Sequence, residues 1–214
     1  GLIGLVPLPE VFGESACVPF KPKPIALYAS ADSPTPVGEI RVTKPWTLPP
    51  EGGCEGLEVR VFRNGASESE ELPTLEYGYE EQAAIVLTRS GARVQIVLAT
   101  GAAWIAPTDV ARYLPAEQLL AEGLTYLREG AAAQLRRSPA LDAPRLSVTL
   151  GDDQEPLVTV IESRTIAGAL WVRVTLLEEN ECLGEPTGLR PDTAWVPFHG
   201  ADRRPTVWFF SRGC

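Results

Sequence analysis

Residues 84–106 read Ala84-Ile-Val-Leu-Thr-Arg-Ser-Gly-Ala-Arg-Val-Gln-Ile-Val-Leu-Ala-Thr-Gly-Ala-Ala-Trp-Ile-Ala106. Three apolar runs rich in β-branched residues are separated here by turn residues at Gly91 and Gly101, which is typical of an antiparallel meander. Runs of the same kind recur along the chain at 25–28, 39–42, 57–63, 157–161, 169–176, 194–198 and 206–210. The sequence therefore predicts a mainly β protein.

The composition narrows the class of protein. The chain has 214 residues and a formal net charge of −9, so we expect no nucleic-acid partner, because phosphate binding needs a basic surface. Apolar residues make up 44% of the chain, which is enough for a globular core. No run approaches the ~18 apolar residues that cross a bilayer as a helix, so we expect no transmembrane segment.

The composition also suggests how the chain is divided. Ala, Leu, Glu, Gln and Arg dominate between Pro115 and Arg137, and the leucines recur near helical spacing, which predicts an amphipathic helix. Prolines crowd the first residues and exclude a helix there. We predict an extended N-terminal arm at 1–20, a first β domain at 21–114, a helical linker at 115–139 and a second β domain at 140–214.

Four cysteines are widely spaced, at Cys17, Cys54, Cys182 and Cys214. None form a CxxC pair, so metal binding is not expected. An even number at such spacing favours disulfides in an oxidising compartment, and we predict the pairs Cys17–Cys54 and Cys182–Cys214. Other pairings, and four buried thiols in a reducing compartment, are the alternatives. A chain that opens without Met is interpreted as a processed or recloned fragment, from which any signal peptide has been removed.

Two segments look like copies of each other. Gly101-Ala-Ala-Trp-Ile-Ala-Pro107 and Asp192-Thr-Ala-Trp-Val-Pro-Phe198 each follow a predicted β hairpin. Together with Ile25-Ala-Leu-Tyr28, Gly38 and Trp171-Val-Arg-Val174, they resemble bacterial SH3-like domains. The first copy lacks a Trp in its middle strand, and the second carries an insertion from Glu178 to Pro191.

The resemblance implies two small SH3-like β-barrels joined by the amphipathic helix. It also implies a non-catalytic binding module of the bacterial cell envelope that recognises cell-wall peptide or glycan. A periplasmic scaffold that binds an envelope protein is the alternative. Either function places the chain in the periplasm or outside the cell, with or without a lipid anchor ahead of Gly1. No cofactor is implied.

Aromatic residues are the candidates for ligand contact. In an SH3-like register, Tyr28, Tyr77, Tyr79 and Trp104 line a groove, because amphipathic rings suit peptides and sugars. The alternative is that the strand tryptophans Trp104, Trp171 and Trp195 belong to the core. Tyr77 and Tyr79 flank Gly78 between acidic residues, so we expect them at the surface.

Catalysis has little support in the sequence. The one histidine, His199, is followed by Asp202, which could orient it as a base for a serine or cysteine nucleophile. Carboxylate pairs such as Glu80-Glu81 and Asp152-Asp153 could serve a glycosidase, but adjacent acids arise by chance in a chain with 28 of them. A hydrolase is therefore the weakest alternative. The acidic run 67–71 is interpreted as a solvated loop.

Overall fold

The computed structural model describes residues 4–13, 20–78, 81–106, 113–121, 124–148, 155–180, 184–186 and 192–210. The chain divides into two compact units, Gly1–Ala116 and Glu117–Cys214. Strands form most of the regular structure in both units, so the predicted mainly β class is confirmed.

In the described residues of the first unit, strands are accompanied by one short helix. Its elements are β1 (Gly4–Pro7), α1 (Pro9–Phe12), β2 (Ile25–Leu27), β3 (Gly38–Lys44), β4 (Glu58–Arg63), β5 (Glu70–Glu71), β6 (Thr74–Gly78), β7 (Glu81–Ser90), β8 (Arg93–Val97), β9 (Ala102–Ile105) and β10 (Leu114–Pro115). The strands β7, β8 and β9 are the meander that residues 84–106 predicted.

Two antiparallel sheets of the first unit share one apolar core. One sheet has the order β10-β1-β7-β8-β9, with β6 also paired to β7, and the other has the order β2-β3-β4-β5. Alternate residues of each strand point inward, and Ile40, Val61 and Ile96 are fully buried in this core. Burial of each such side chain stabilises the fold by about 1.5–3 kcal/mol, and a one-residue slip of a strand would lose it.

The N-terminal residues differ from the extended arm predicted at 1–20. Strand β1 lies inside the larger sheet, between β7 and β10, and all four of its residues are buried. Pro7 is the last residue of β1, and Pro9 lies in the first turn of α1, where a helix does not need the missing amide hydrogen. The prediction that prolines exclude a helix here was wrong for this reason.

The second unit is centred on a five-stranded antiparallel sheet. Its elements are α2 (Ala116–Ala121, which begins at the last residue of the first unit), β11 (Thr125–Leu127), a 3-10 helix (Ala131–Gln134), β12 (Leu157–Ile166), β13 (Ala169–Leu176), β14 (Glu179–Asn180), β15 (Glu185–Pro186), β16 (Thr193–Pro197) and β17 (Val207–Phe209). The sheet order is β16-β13-β12-β11-β17, and β14 and β15 pair separately. Trp171 and Trp195 are buried in this unit.

The single amphipathic helix predicted at 115–139 is not what the structure shows. Helix α2 ends at Ala121, and β11 then pairs with both β12 and β17. Gly130 has a φ of +80°, a left-handed conformation that an α-helix cannot contain. Leu120, Leu127 and Leu135 are buried as the pattern required, but pairing between strands overrides the local helical preference.

The sheets of both units are open in their strand order, so the closed SH3-like barrels stay a prediction. None of the helices within the described ranges has the length and apolar character that crossing a membrane requires.

Candidate functional site

Two of the four predicted ligand-binding residues lie directly opposite each other. Tyr28, which follows β2, and Trp104 in β9 form an isolated antiparallel bridge. The backbone nitrogen of each residue donates a hydrogen bond to the carbonyl oxygen of the other, and both bonds are 2.8 Å long. Residues paired in this way carry their side chains on the same face of a sheet. Tyr28 and Trp104 are therefore neighbours on one face.

This face points away from the core. The residues on either side of Trp104, which are Ala103 and Ile105, are buried in the core of the first unit, as is Leu27 next to Tyr28. Because side chains alternate along a strand, the rings of Tyr28 and Trp104 project from the opposite face, where both residues are half-buried. Trp104 is therefore not a core residue, whereas Trp171 and Trp195 are.

Polar residues continue the line that the two rings begin. Trp104 pairs with Gln95 of β8, and Gln95 pairs with Thr88 of β7. We call Tyr28, Trp104, Gln95 and Thr88 the outer row. Gln95 and Thr88 are half-buried and form no side-chain hydrogen bond within the part of the chain that the structure describes. The outer row thus combines two aromatic rings with polar groups that are available to a ligand.

Arg93 holds one end of the outer row in place. Its guanidinium carbon lies 3.6 Å from the centroid of the Tyr28 ring, which is a cation–π contact. The Nη1 atom donates hydrogen bonds to the carbonyl oxygens of Ser30 and Ser33, at 3.1 and 2.6 Å. These bonds tie the loop after Tyr28 to β8. The Tyr28 ring is thereby fixed before any ligand arrives, which lowers the entropy cost of binding.

Tyr77, the third predicted ligand-binding residue, is not part of this arrangement. Tyr77 is half-buried at a β-bulge in β6, near the start of β7, where Glu76 pairs with Gln82. The outer row crosses β7 at Thr88, about 20 Å further along the strand. Tyr79 lies outside the described residues. The structure therefore brings Tyr28 and Trp104 together and places Tyr77 apart from them. Gln95 and Arg93 were not predicted to lie beside them, because neither residue belongs to an aromatic motif.

The structure places the His199 ring in a largely buried position. Burial lowers the pKa of His199 to about 4, against a smaller opposing effect of Asp202. Its Nε2 atom is buried and has no hydrogen-bond partner among the described residues. A neutral imidazole is therefore expected at pH 7.

Asp202 is engaged elsewhere. Arg128 Nη2 donates to both of its carboxylate oxygens, at 3.1 and 3.0 Å, and the backbone nitrogen of Arg204 donates to Oδ1 at 3.0 Å. Burial opposes ionisation of Asp202, but these hydrogen bonds and the nearby guanidinium charges lower its pKa. Asp202 therefore stabilises the turn 199–205 rather than orienting His199.

The remaining candidates give a mixed result. Cys54 is disulfide-bonded, whereas Cys17, Cys182 and Cys214 lie outside the described residues, so the pairing stays a prediction. No cluster of metal-ligating side chains occurs within the residues that the structure describes. Glu80 and the pair Asp152-Asp153 lie outside them. The acidic run 67–71 is partly structured, because Glu70 forms a salt bridge of 3.0 Å with Arg63.

A concave surface lies in the second unit. It is an open depression of about 320 Å³ beside the sheet. Its lining is mostly aliphatic and consists of Leu120, Ala121, Leu124, Thr125, Val158, Thr159, Val160 and Leu177. None of these described lining residues is aromatic or charged.

No family model matches the chain, and the comparisons with curated proteins and with solved structures give no match either. The function must therefore be argued from the residues themselves.

Proposed function

We propose that this chain is a non-catalytic binding protein of the bacterial cell envelope, and that the outer row of its first unit recognises cell-wall peptide or glycan. The observation that carries this proposal is the pairing of Tyr28 with Trp104 on an outward face. Flat rings with polar tips favour sugars and extended peptides, because they offer apolar contact area without losing much side-chain entropy.

The second unit offers a contrast that supports this choice. Trp195 occupies the same place in its meander as Trp104, as the third strand after a hairpin, and it also bridges to an upstream residue, Arg136. Trp195, however, is only 6% exposed. The corresponding surface of the second unit is therefore closed. This shared arrangement also supports, as part of the proposal, an SH3-like relationship of both units.

Export is part of the same proposal. Cys54 is disulfide-bonded, and structural disulfides persist in oxidising compartments such as the periplasm. Cell-wall polymers are reached from that side of the membrane.

The test is cosedimentation with cell-wall sacculi from which protein has been removed. We expect saturable binding by the wild-type chain and a loss of about tenfold in affinity for Trp104→Ala, because the loss of one central ring removes at least about 1.4 kcal/mol. Tyr77→Ala is the matched control, since it removes a half-buried ring from the same unit outside the outer row. Thermal unfolding confirms that each variant is folded. The absence of wild-type binding would contradict the proposal.

A protein-binding scaffold is the second candidate, and one observation favours it. Within the described residues, β12 pairs with β11 only at Leu157 and Val158, so the same edge is open from Thr159 to Ile166. Ile161 and Ile166 are 48% and 38% exposed along β12. An open strand edge beside an aliphatic depression can accept a strand from another protein. This candidate predicts no binding to protein-free sacculi. It also predicts that a crosslinker placed at residue 163 captures an envelope protein, and that Ile161→Asp abolishes this capture.

A further inference from the structure

One edge of the Arg93 guanidinium has no partner among the residues that the structure describes. Its Nη1 atom is used by the carbonyl oxygens of Ser30 and Ser33, and its plane lies over Tyr28. The Nε and Nη2 atoms form no hydrogen bond within the described part of the chain. Neither atom is among the buried side-chain atoms that lack a partner, so this edge is in contact with solvent. Arg93 lies two residues from Gln95 in β8 and therefore on the same face of the sheet.

Arg93 forms no ion pair among the described residues, and among the described arginines of the first unit it shares this property only with Arg89, which bonds to the carbonyl oxygen of Gly91. Arg41, Arg60 and Arg63 each form a salt bridge with a glutamate. Asp32 belongs to the loop that Arg93 anchors, yet it accepts a hydrogen bond from Ser30 Oγ at 3.0 Å and forms no ion pair with Arg93. In a chain with 28 acidic residues, a fixed guanidinium has therefore been left without a carboxylate.

The chemistry of the open edge is shown by Arg63 in the same unit. Arg63 uses its Nε and Nη2 atoms to bind both oxygens of Glu70, at 3.0 and 3.1 Å. Two parallel N–H groups match the two oxygens of a carboxylate, and such bidentate pairs are stronger than neutral hydrogen bonds. Arg93 presents the same pair of atoms, already held in position by the stack on Tyr28.

We propose that the ligand of the outer row carries a free carboxylate, which binds to the Nε and Nη2 atoms of Arg93 while an adjacent part of the ligand contacts Trp104. This inference rests on the function proposed above and narrows it to wall peptides with a free carboxyl group. A neutral glycan would use the rings alone. Because the chain as a whole is acidic, the positive edge of Arg93 also selects the orientation in which an anionic ligand approaches.

The test compares two forms of one probe. Soluble wall fragments are released from protein-free sacculi by a muramidase, and half of the preparation is amidated at its carboxyl groups. Binding of each form is measured by titration calorimetry. We expect the wild-type chain to bind the carboxylate form about tenfold more tightly than the amidated form, as a bidentate charged pair predicts.

Variants locate this preference. Arg93→Gln is expected to bind both forms equally, with an affinity no higher than the wild type shows for the amidated form, because Tyr28 also loses its cation–π contact. Arg93→Lys should regain only part of the preference because a lysine lacks the fork. Arg41→Gln is the matched control, since Arg41 also stacks on a ring, that of Phe62 at 3.7 Å, but lies outside the outer row. It is expected to keep the full preference.

The outcomes distinguish failure of the carboxylate inference from failure of the proposed function. Equal wild-type affinity for both forms, with binding still lost in Trp104→Ala, overturns the carboxylate inference and leaves the proposed function standing. A tenfold preference that survives in Arg93→Gln also overturns it. If neither form binds, both the inference and the proposed function fail.

Discussion

Tyr28 and Trp104 exchange two backbone hydrogen bonds of 2.8 Å, although they come from different sheets of the first unit. This bridge joins the edge of β2 to the edge of β9, so the two sheets meet at the point where the two rings lie. The site is consequently positioned by backbone pairing rather than by a flexible loop. Such a position keeps the rings in place without a ligand, which favours binding by a preformed surface.

Gly38 is expected to be irreplaceable in β3. A Cβ atom at this position would collide with the carbonyl oxygen of Phe62 and lie 3.0 Å from the Cα atom of Arg63. Because backbone atoms cannot move aside cheaply, Gly38→Ala should lower the free energy of unfolding by at least about 2 kcal/mol. The measurement is chemical denaturation followed by tryptophan fluorescence.

Gly65→Ala is the matched control for Gly38→Ala. Gly65 has a φ of +78° but open space around it, so its substitution costs only the left-handed strain of about 1 kcal/mol. If Gly38→Ala is no more destabilising than Gly65→Ala, the backbones of β3 and β4 do not approach each other closely enough at Gly38 to exclude a Cβ atom.

His199 should make the stability of the second unit depend on pH. The folded chain keeps this imidazole neutral down to its pKa of about 4, whereas the unfolded chain takes up the proton near pH 6.5. The unfolded state therefore binds more protons between these values, so the free energy of unfolding falls as the pH drops from 6.5 to 4. We expect a loss of about 2 kcal/mol over this interval, with allowance for partial exposure of the ring.

His199→Gln removes the titrating group and keeps a polar side chain. Urea denaturation at pH 7 and pH 4.5 should show a clearly smaller pH effect in this variant than in the wild type. The contribution of Asp202 does not interfere, because its pKa lies below 3.8 and its stabilising effect is lost only at lower pH. An equal pH effect in both proteins would show that His199 is not desolvated in the folded state.

Strand patterns were the part of the fold that the sequence could predict. The alternation of Leu-Glu-Val-Arg-Val-Phe-Arg at 57–63 places Val61 in the core, as β4 shows. The region 115–139 was misjudged because leucine spacing is a local signal, whereas β11 forms through its pairing with β12 and β17. Pairing of that kind joins residues distant in sequence, which propensity does not report.

The candidate site was half predictable for a related reason. Tyr28 and Trp104 could be proposed from the sequence because aromatic residues in strands are conspicuous, but no local pattern indicates that they are opposite each other. Arg93 could not be singled out from the sequence, since a single arginine in an alternating strand is an ordinary surface residue. Its role depends on the loop carbonyl groups of Ser30 and Ser33.

Cys54 is expected to be joined to Cys17. Proteolysis of the unreduced protein, followed by mass spectrometry, should give one linked peptide pair that contains both residues and a second pair with Cys182 and Cys214. Closing a loop of this length stabilises the folded state by about 3–4 kcal/mol through the unfolded chain, so reduction should lower the midpoint of thermal unfolding. A linked pair that joins Cys54 to Cys182 or Cys214 would contradict the predicted pairing and would cross-link the two units.

Trp104 and Trp195 stand in similar sequences, Ala-Trp-Ile and Ala-Trp-Val, but should respond differently to substitution. Trp195 is 6% exposed, and its removal leaves a cavity in the second unit, so Trp195→Ala should lower the free energy of unfolding by about 3–5 kcal/mol. Trp104 lies on an outward face beside Tyr28 and Gln95, so Trp104→Ala should cost less than about 2 kcal/mol. Chemical denaturation measures the stability of Trp104→Ala and Trp195→Ala, and sedimentation with sacculi measures the binding of the same two variants. We expect Trp195→Ala to lose stability and Trp104→Ala to lose binding. Equal destabilisation by both substitutions would assign Trp104 to the core and remove the basis of the outer row.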